Sequence, residues 1–90
     1  MLESFWSATD KDIVDLRQAL KDENRLTISD VAHRIKGAAK IVMAEELIKL
    51  SRHIETSCAT AKIEELAYLA KSIENSLEAH KTEIHNNALI

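Results

Sequence analysis

The chain has 90 residues, a net charge of −3, 46% hydrophobic and 30% charged residues, and only 3% aromatics. That length holds one domain with one modest, here aliphatic, core, so residues 1–90 are expected to form a single domain. The mild, well-mixed charge without a basic stripe disfavours nucleic-acid binding. No apolar run approaches the ~18 residues of a membrane span, and no signal peptide is visible, so direct membrane contact is not expected.

With one glycine and no proline, a chain dominated by Ala, Leu, Ile, Lys and Glu suits helices joined by short loops. Leu2, Phe5 and Trp6 are spaced as a short amphipathic lead-in turn. Thr9 then reads as a helix cap, with Asp10 and Asp12 in the first turn. That helix runs to about Glu23 and buries Ile13, Leu16, Ala19 and Leu20. Asn24 and Arg25 read as a loop. Thr27-Ile28-Ser29-Asp30 reads as a second capped start, with Asp30 where a capping box has Glu or Gln. The helix it opens extends to Val42 or Met43.

A third helix starts near Glu45, with Leu47, Leu50, Ser51, Ile54 and Cys58 as its apolar stripe. After Ser57 to Thr60 a fourth runs to about Ile84 on a stripe of Ile63, Leu66, Ala70, Ile73, Leu77 and Ile84. Asn86 to Ile90 are expected to fray. The fold class is therefore all-α: an antiparallel four-helix bundle with a short extra N-terminal helix.

The one glycine, Gly37, falls inside the second long helix, where glycine costs roughly 0.5–1 kcal/mol relative to alanine. Ala38 and Ala39 follow it, so a cheaper residue was available. One turn earlier on the same face stands His33. Helical side chains lean toward the N-terminus, so a side chain at 37 would lie over the imidazole. At about 100° per residue, Ile28, Val31, Ile35, Ala39 and Val42 form the core stripe, and His33 lies roughly 160° from its centre. Lys36, Gly37 and Lys40 share the outer side, and Ile41 adds an apolar spot there.

A neutral imidazole nitrogen is a nucleophile near pH 7. A phosphoryl group placed on it would meet the ammonium groups of Lys36 and Lys40. No Gly-rich phosphate loop or nucleotide motif accompanies them. The constellation is that of a phosphate acceptor with no means of using ATP itself.

His33-Arg34-Ile35-Lys36-Gly37-Ala38-Ala39 resembles the His-x-hydrophobic-Lys-Gly-small-small signature of histidine-containing phosphotransfer (HPt) domains. Leu47, Leu50 and Ile54-Glu55 resemble the helix that follows it, with its closing Glu. The run from Ala32 to Glu55 is most similar to the C-terminal HPt domains of hybrid sensor histidine kinases of the BvgS and EvgS kind. Met43 departs from the pattern, which often has a glycine near that turn.

The resemblance implies a four-helix bundle whose His33 takes a phosphoryl group from a receiver-domain phosphoaspartate and passes it to the receiver aspartate of a response regulator. It implies Lys36 as the phosphate-stabilising residue, Gly37 as the access position and Lys40 as a secondary charge. The domain would need no cofactor of its own, since the Mg²⁺ of the transfer sits on the receiver. It would be a monomer in isolation, and in place a cytoplasmic domain at the C-terminus of an inner-membrane sensor kinase. It would be a carrier and not an enzyme.

Two other readings compete. In one, the chain is a helical protein-interaction module without phosphoryl chemistry, Gly37 permits close helix packing, and His33 is incidental. In the other, it is a metal-binding bundle, which the lack of a Cys/His cluster disfavours; His80 and His85 are five apart, a poor spacing on one helical face. Lone Cys58 points to a reduced, cytosolic setting and reads as a small buried hydrophobe. His53, His80 and His85 read as structural or solvated, and Phe5 and Trp6 as a lid over the bundle end.

Overall fold

A computed structural model describes the backbone of residues 2–88 and the side chains of residues 8–79. Four helices follow one another: α1 Leu2–Lys21, α2 Arg25–Ile41, α3 Glu45–Ser57 and α4 Ile63–Ala88. Each packs on its sequence neighbours and α1 closes against α4; among the described residues the diagonal pairs make no close backbone approach. This is the expected antiparallel bundle. Its long axis of 45 Å is set by α4, which at 1.5 Å per residue spans about 39 Å.

The apolar stripes meet in one core. Leu16, Ile28, Val31, Ile35, Leu47, Ile54, Leu66 and Ile73 are almost wholly removed from water. Ala19, Ala32, Ala39, Ala44 and Ala70 are buried beside them and, being small, allow the helices close approach. Leu20, Val42, Leu50 and Ile63, all on the expected stripes, pack on the core from its rim. Ser51 and Thr9 are the buried polar residues among those described.

The separate lead-in helix is not formed: α1 is continuous from Leu2. Thr9 is 1% exposed and continues the core stripe of Ile13, Leu16 and Leu20 back by one turn. A capping residue must leave helical geometry, and a residue on the core stripe cannot do so without breaking the packing. At the other end α4 stays helical through Ala88 rather than fraying from Asn86. The expectations for Phe5, Trp6, His80, Ile84 and His85 concern side chains outside the described residues.

The cap of α2 is also displaced from its expected place. Asn24 caps the helix, its side-chain oxygen accepting from the Thr27 amide at 3.2 Å, and Arg25 and Thr27 lie inside the first turn. The reason lies in how α1 ends. Glu23 takes a left-handed φ of 53°; the Glu23 amide bonds the Leu20 carbonyl, and the Asn24 amide bonds the Ala19 carbonyl. These are the two bonds of a Schellman ending, and they deliver Asn24 directly to the start of α2.

The α2–α3 turn repeats the device. Met43 has φ 58°, its amide bonds the Lys40 carbonyl, and the Ala44 amide bonds the Ala39 carbonyl. Met43 thus does what glycine ordinarily does at this position. The turn keeps its form, with an L side chain held in a strained conformation.

The α3–α4 connection is clamped from across the bundle. Arg25 Nη1 donates to the carbonyls of Cys58 at 2.7 Å and Ala61 at 2.6 Å. The Cys58 thiol donates back to the Arg25 carbonyl, and burial pushes this thiol's pKa up. The guanidinium therefore neutralises carbonyls at the negative end of α3. On the outer surface, Arg17 of α1 pairs with Glu74 of α4.

Candidate functional site

The core stripe of α2 turns His33 outward, as its helical angle predicts, and its side chain is 71% exposed. Lys40 is exposed two turns further on and carries no ion pair among the described residues. Leu26 and Ile41, on the same outer side, are 79% and 83% exposed, and Met43 beyond the helix end is 82% exposed. The imidazole thus shares this side of the domain with apolar side chains that are largely exposed.

Gly37 is open. A Cβ built there would meet no heavy atom within 4 Å, and its φ is not left-handed. Neither packing nor backbone conformation demands glycine. Packing inside this domain is thereby removed as its cause.

Lys36 departs from expectation. It was expected to be as exposed as Lys40, but its side chain is only 17% exposed and its Nζ lies 2.8 Å from Glu55 Oε1 on α3. Glu55 is itself 20% exposed, and its other oxygen, Oε2, lies 3.2 Å from His33 Nδ1. Oε1 is buried and has no aligned hydrogen bond, so Lys36 serves it as a counter-charge. One carboxylate is therefore shared by a lysine and a histidine of the neighbouring helix.

Ile54, fully buried, anchors α3 against the core, and this places Glu55 in the α2–α3 seam. Burial pushes the Glu55 carboxyl up, but the Lys36 ammonium and the His33 contact outweigh it and hold it below the ordinary carboxylate range. An ionised carboxylate accepts hydrogen bonds and donates none. The contact therefore places the ring proton on Nδ1 and leaves the Nε2 lone pair of the neutral ring toward solvent.

On the opposite flank, Arg34 reaches back to α1. Its Nε is 3.6 Å from Asp12 Oδ1 and its Nη2 is 3.4 Å from Asp15 Oδ2. Burial raises the Asp12 pKa, with Arg34 opposing. Sequence reasoning did not foresee the pairing of Glu55 with His33 or the tie from Arg34 to α1. A signal for the first was present: Ala44, at the α2–α3 turn, is equidistant in sequence from His33 and Glu55, so an antiparallel hairpin sets them side by side.

The remaining histidine with a described side chain, His53, points away from this site. It lines a groove of about 390 Å³ with Glu64, Glu65, Tyr68 and Leu69. Among the described residues no three His, Cys, Asp or Glu side chains gather as metal ligands, and no helix is long and apolar enough to cross a membrane.

The sequence profile of the Hpt domain family matches residues 1–89. No curated protein and no solved structure matches the chain. The match spans almost the whole chain and agrees with the four-helix architecture: the chain belongs to the Hpt domain family, the phosphoryl carriers that exchange phosphate with receiver domains in two-component phosphorelays.

Proposed function

We propose that His33 is the phosphoryl-accepting residue and that it relays phosphate between two receiver domains. The observation that carries this reading is the exposed ring held at Nδ1 by Glu55, beside a glycine that neither packing nor conformation requires. In the forward step, the Nε2 lone pair attacks the phosphorus of a receiver's aspartyl phosphate. The N–P bond forms, the acyl P–O bond breaks, and the aspartate carboxylate leaves with the electron pair. No proton need move. The ring keeps its Nδ1 proton and becomes formally cationic, and Glu55 faces that developing charge. Passage to the next receiver is the reverse of these events at a second aspartate.

The Mg²⁺ that this chemistry uses is assigned to the receiver. Leu26, Ile41 and Met43 offer apolar contact to a docking partner around the ring, and Gly37 leaves the approach flat. Lys40 adds a cation on the same side. In its parent protein the domain is assigned to the cytoplasmic end of a hybrid sensor histidine kinase of the BvgS and EvgS kind, on the resemblance of the run from Ala32 to Glu55.

The test is the intact mass of the domain after incubation with a receiver phosphorylated by a small-molecule donor. One phosphoryl group should appear on the wild type and none on a folded His33→Gln variant, and the linkage should be acid-labile, as a phosphoramidate is. Undiminished labelling of the variant would refute the assignment. No labelling of the wild type by any receiver would favour a plain interaction module.

A further inference from the structure

The geometry points to the groove between α3 and α4 as a second docking surface, one that takes an arginine side chain from a partner protein. The groove has a volume of about 390 Å³ and is lined by His53 of α3 and by Glu64, Glu65, Tyr68 and Leu69 of α4. It lies away from the phosphoryl site. At about 100° per residue, His53 is roughly 200° round α3 from Glu55, which faces α2. The body of α3 therefore stands between the groove and His33.

The lining states what the groove can hold. Ligand pockets run from about 300 to 1,000 Å³, so this one is at the small end and suits one long side chain. Glu64 and Tyr68 are four apart on α4, and Glu65 and Tyr68 three apart, so each carboxylate neighbours the phenol ring on the helix surface. Tyr68 is 73% exposed, although an aromatic ring gains by burial. The helix dipole accounts for acids in the first turn of α4, but it gives no reason for a bare ring beside them. Among the described residues neither glutamate has an ion pair, although Lys62 and Lys71 are exposed in the same stretch of chain. The domain's own cations thus leave the two carboxylates free.

A guanidinium fits this set. Its plane stacks on an aromatic face while its edge bonds carboxylates, and its methylene stem can lie along half-buried Leu69. An anionic group would meet two carboxylates, and no lysine or arginine lines the groove. A purely apolar group would have to desolvate those carboxylates without pairing them. Lysine carries the charge but, as a hydrated point cation, stacks less well. A partner held here leaves His33 uncovered, so both surfaces can be occupied at once.

The test uses the ¹⁵N-labelled domain both as wild type and as His33→Gln, so its outcome does not depend on phosphotransfer. The probes are capped hexapeptides with a central arginine beside leucine or phenylalanine, and the same peptides with citrulline, lysine or glutamate at the centre. The arginine peptides should shift the amide signals of His53, Glu64, Glu65, Tyr68 and Leu69 saturably, equally in both proteins, and leave those of Ala32 to Gly37 in place. Citrulline, the neutral isostere, should weaken binding at least fivefold, lysine at least twofold, and glutamate should abolish it. Tyr68→Ala keeps every charge and should weaken the arginine peptides at least fivefold; Tyr68→Leu, which keeps apolar bulk without the aromatic face, should do the same. Joint Glu64→Gln and Glu65→Gln should match them. Thermal melts establish that each variant is folded, and a phosphorylated receiver should label Tyr68→Ala at the wild-type rate. The proposal is overturned if no arginine peptide shifts the groove saturably, or if citrulline binds as well as arginine. It is equally overturned if folded Tyr68→Ala and Tyr68→Leu bind as the wild type does, since the attraction would then be a diffuse one between a basic peptide and an acidic surface.

Discussion

Glu55 Oε2 lies 3.2 Å from His33 Nδ1 across the α2–α3 seam, and the Glu55 carboxyl is held below its ordinary range by Lys36 and His33 against the opposing effect of burial. A folded-state value below the ordinary 4.5 means that ionised Glu55 stabilises the fold. That contribution is complete above the ordinary value and is lost as pH falls through the depressed one. Glu55→Gln should therefore lower stability at neutral pH by about 1 kcal/mol, the scale of a partly screened ion pair. The deficit should stay constant down to about pH 5 and vanish in stronger acid. Asp12 works in the opposite sense. Burial raises its pKa, so protonation of Asp12 strengthens the fold below the raised value; its contribution is common to both proteins and cancels in the difference. Urea unfolding of the pair across this range checks the prediction, and a deficit that persists unchanged at pH 2 would contradict it.

Glu23 and Met43 share one conformation at two helix ends, φ 53° and 58°. A non-glycine residue in the left-handed region costs roughly 1–2 kcal/mol, against which glycine brings about 0.4–1 kcal/mol of extra chain entropy to the unfolded state. Glu23→Gly and Met43→Gly should each stabilise the domain by up to about 1 kcal/mol, and the two should add because the turns lie at opposite ends of α2. Raised melting temperatures with unchanged helical content would bear this out; a loss of stability in both would mean that the turns are held by something other than their Schellman bonds.

How far the sequence announces this structure depends on what kind of signal each feature leaves. The core stripes are legible because burial repeats with the helical period: Ile28, Val31, Ile35 and Ala39 could be read off directly and are all buried. The outward direction of His33 follows from the same count. Helix ends are less legible, because Thr9 and Asn24 are both good caps in isolation. Whether a threonine caps or packs depends on the neighbouring helix, which local sequence does not contain. The Lys36–Glu55 pair was hidden for a related reason. Lys36 reads from sequence as an outward charge beside His33, and only when α3 is laid beside it does a half-buried carboxylate claim it.

Arg25 is read from sequence as a loop residue and is found binding two carbonyls of the α3–α4 connection, those of Cys58 and Ala61. Charge-assisted hydrogen bonds are about twice as strong as neutral ones, and removing the donor leaves partly buried carbonyls unpaired. Arg25→Ala should cost about 2–3 kcal/mol, and Arg25→Lys should recover part of it. The urea midpoint should fall with the slope unchanged. A loss below about 0.5 kcal/mol would place the clamp among ordinary surface contacts.

Gly37 separates stability from phosphotransfer. The position is helical and open, with no heavy atom within 4 Å of a built Cβ. Gly37→Ala should therefore stabilise the domain by up to about 1 kcal/mol, through the lower backbone entropy of the unfolded chain. Gly37→Gln should also fold, since its side chain has solvent to enter. In a helix that side chain leans toward the preceding turn, which here carries His33, and it would stand between the ring and an approaching receiver. Transfer to Gly37→Gln should slow by at least tenfold, while Gly37→Ala, with a single methyl group, should stay within a few fold of wild type. The measurements are a urea titration and a labelling time course against one phosphorylated receiver. If Gly37→Gln transferred at the wild-type rate, access would not be the reason for the glycine. If Gly37→Ala were destabilised, the open space beside His33 would not be open in solution.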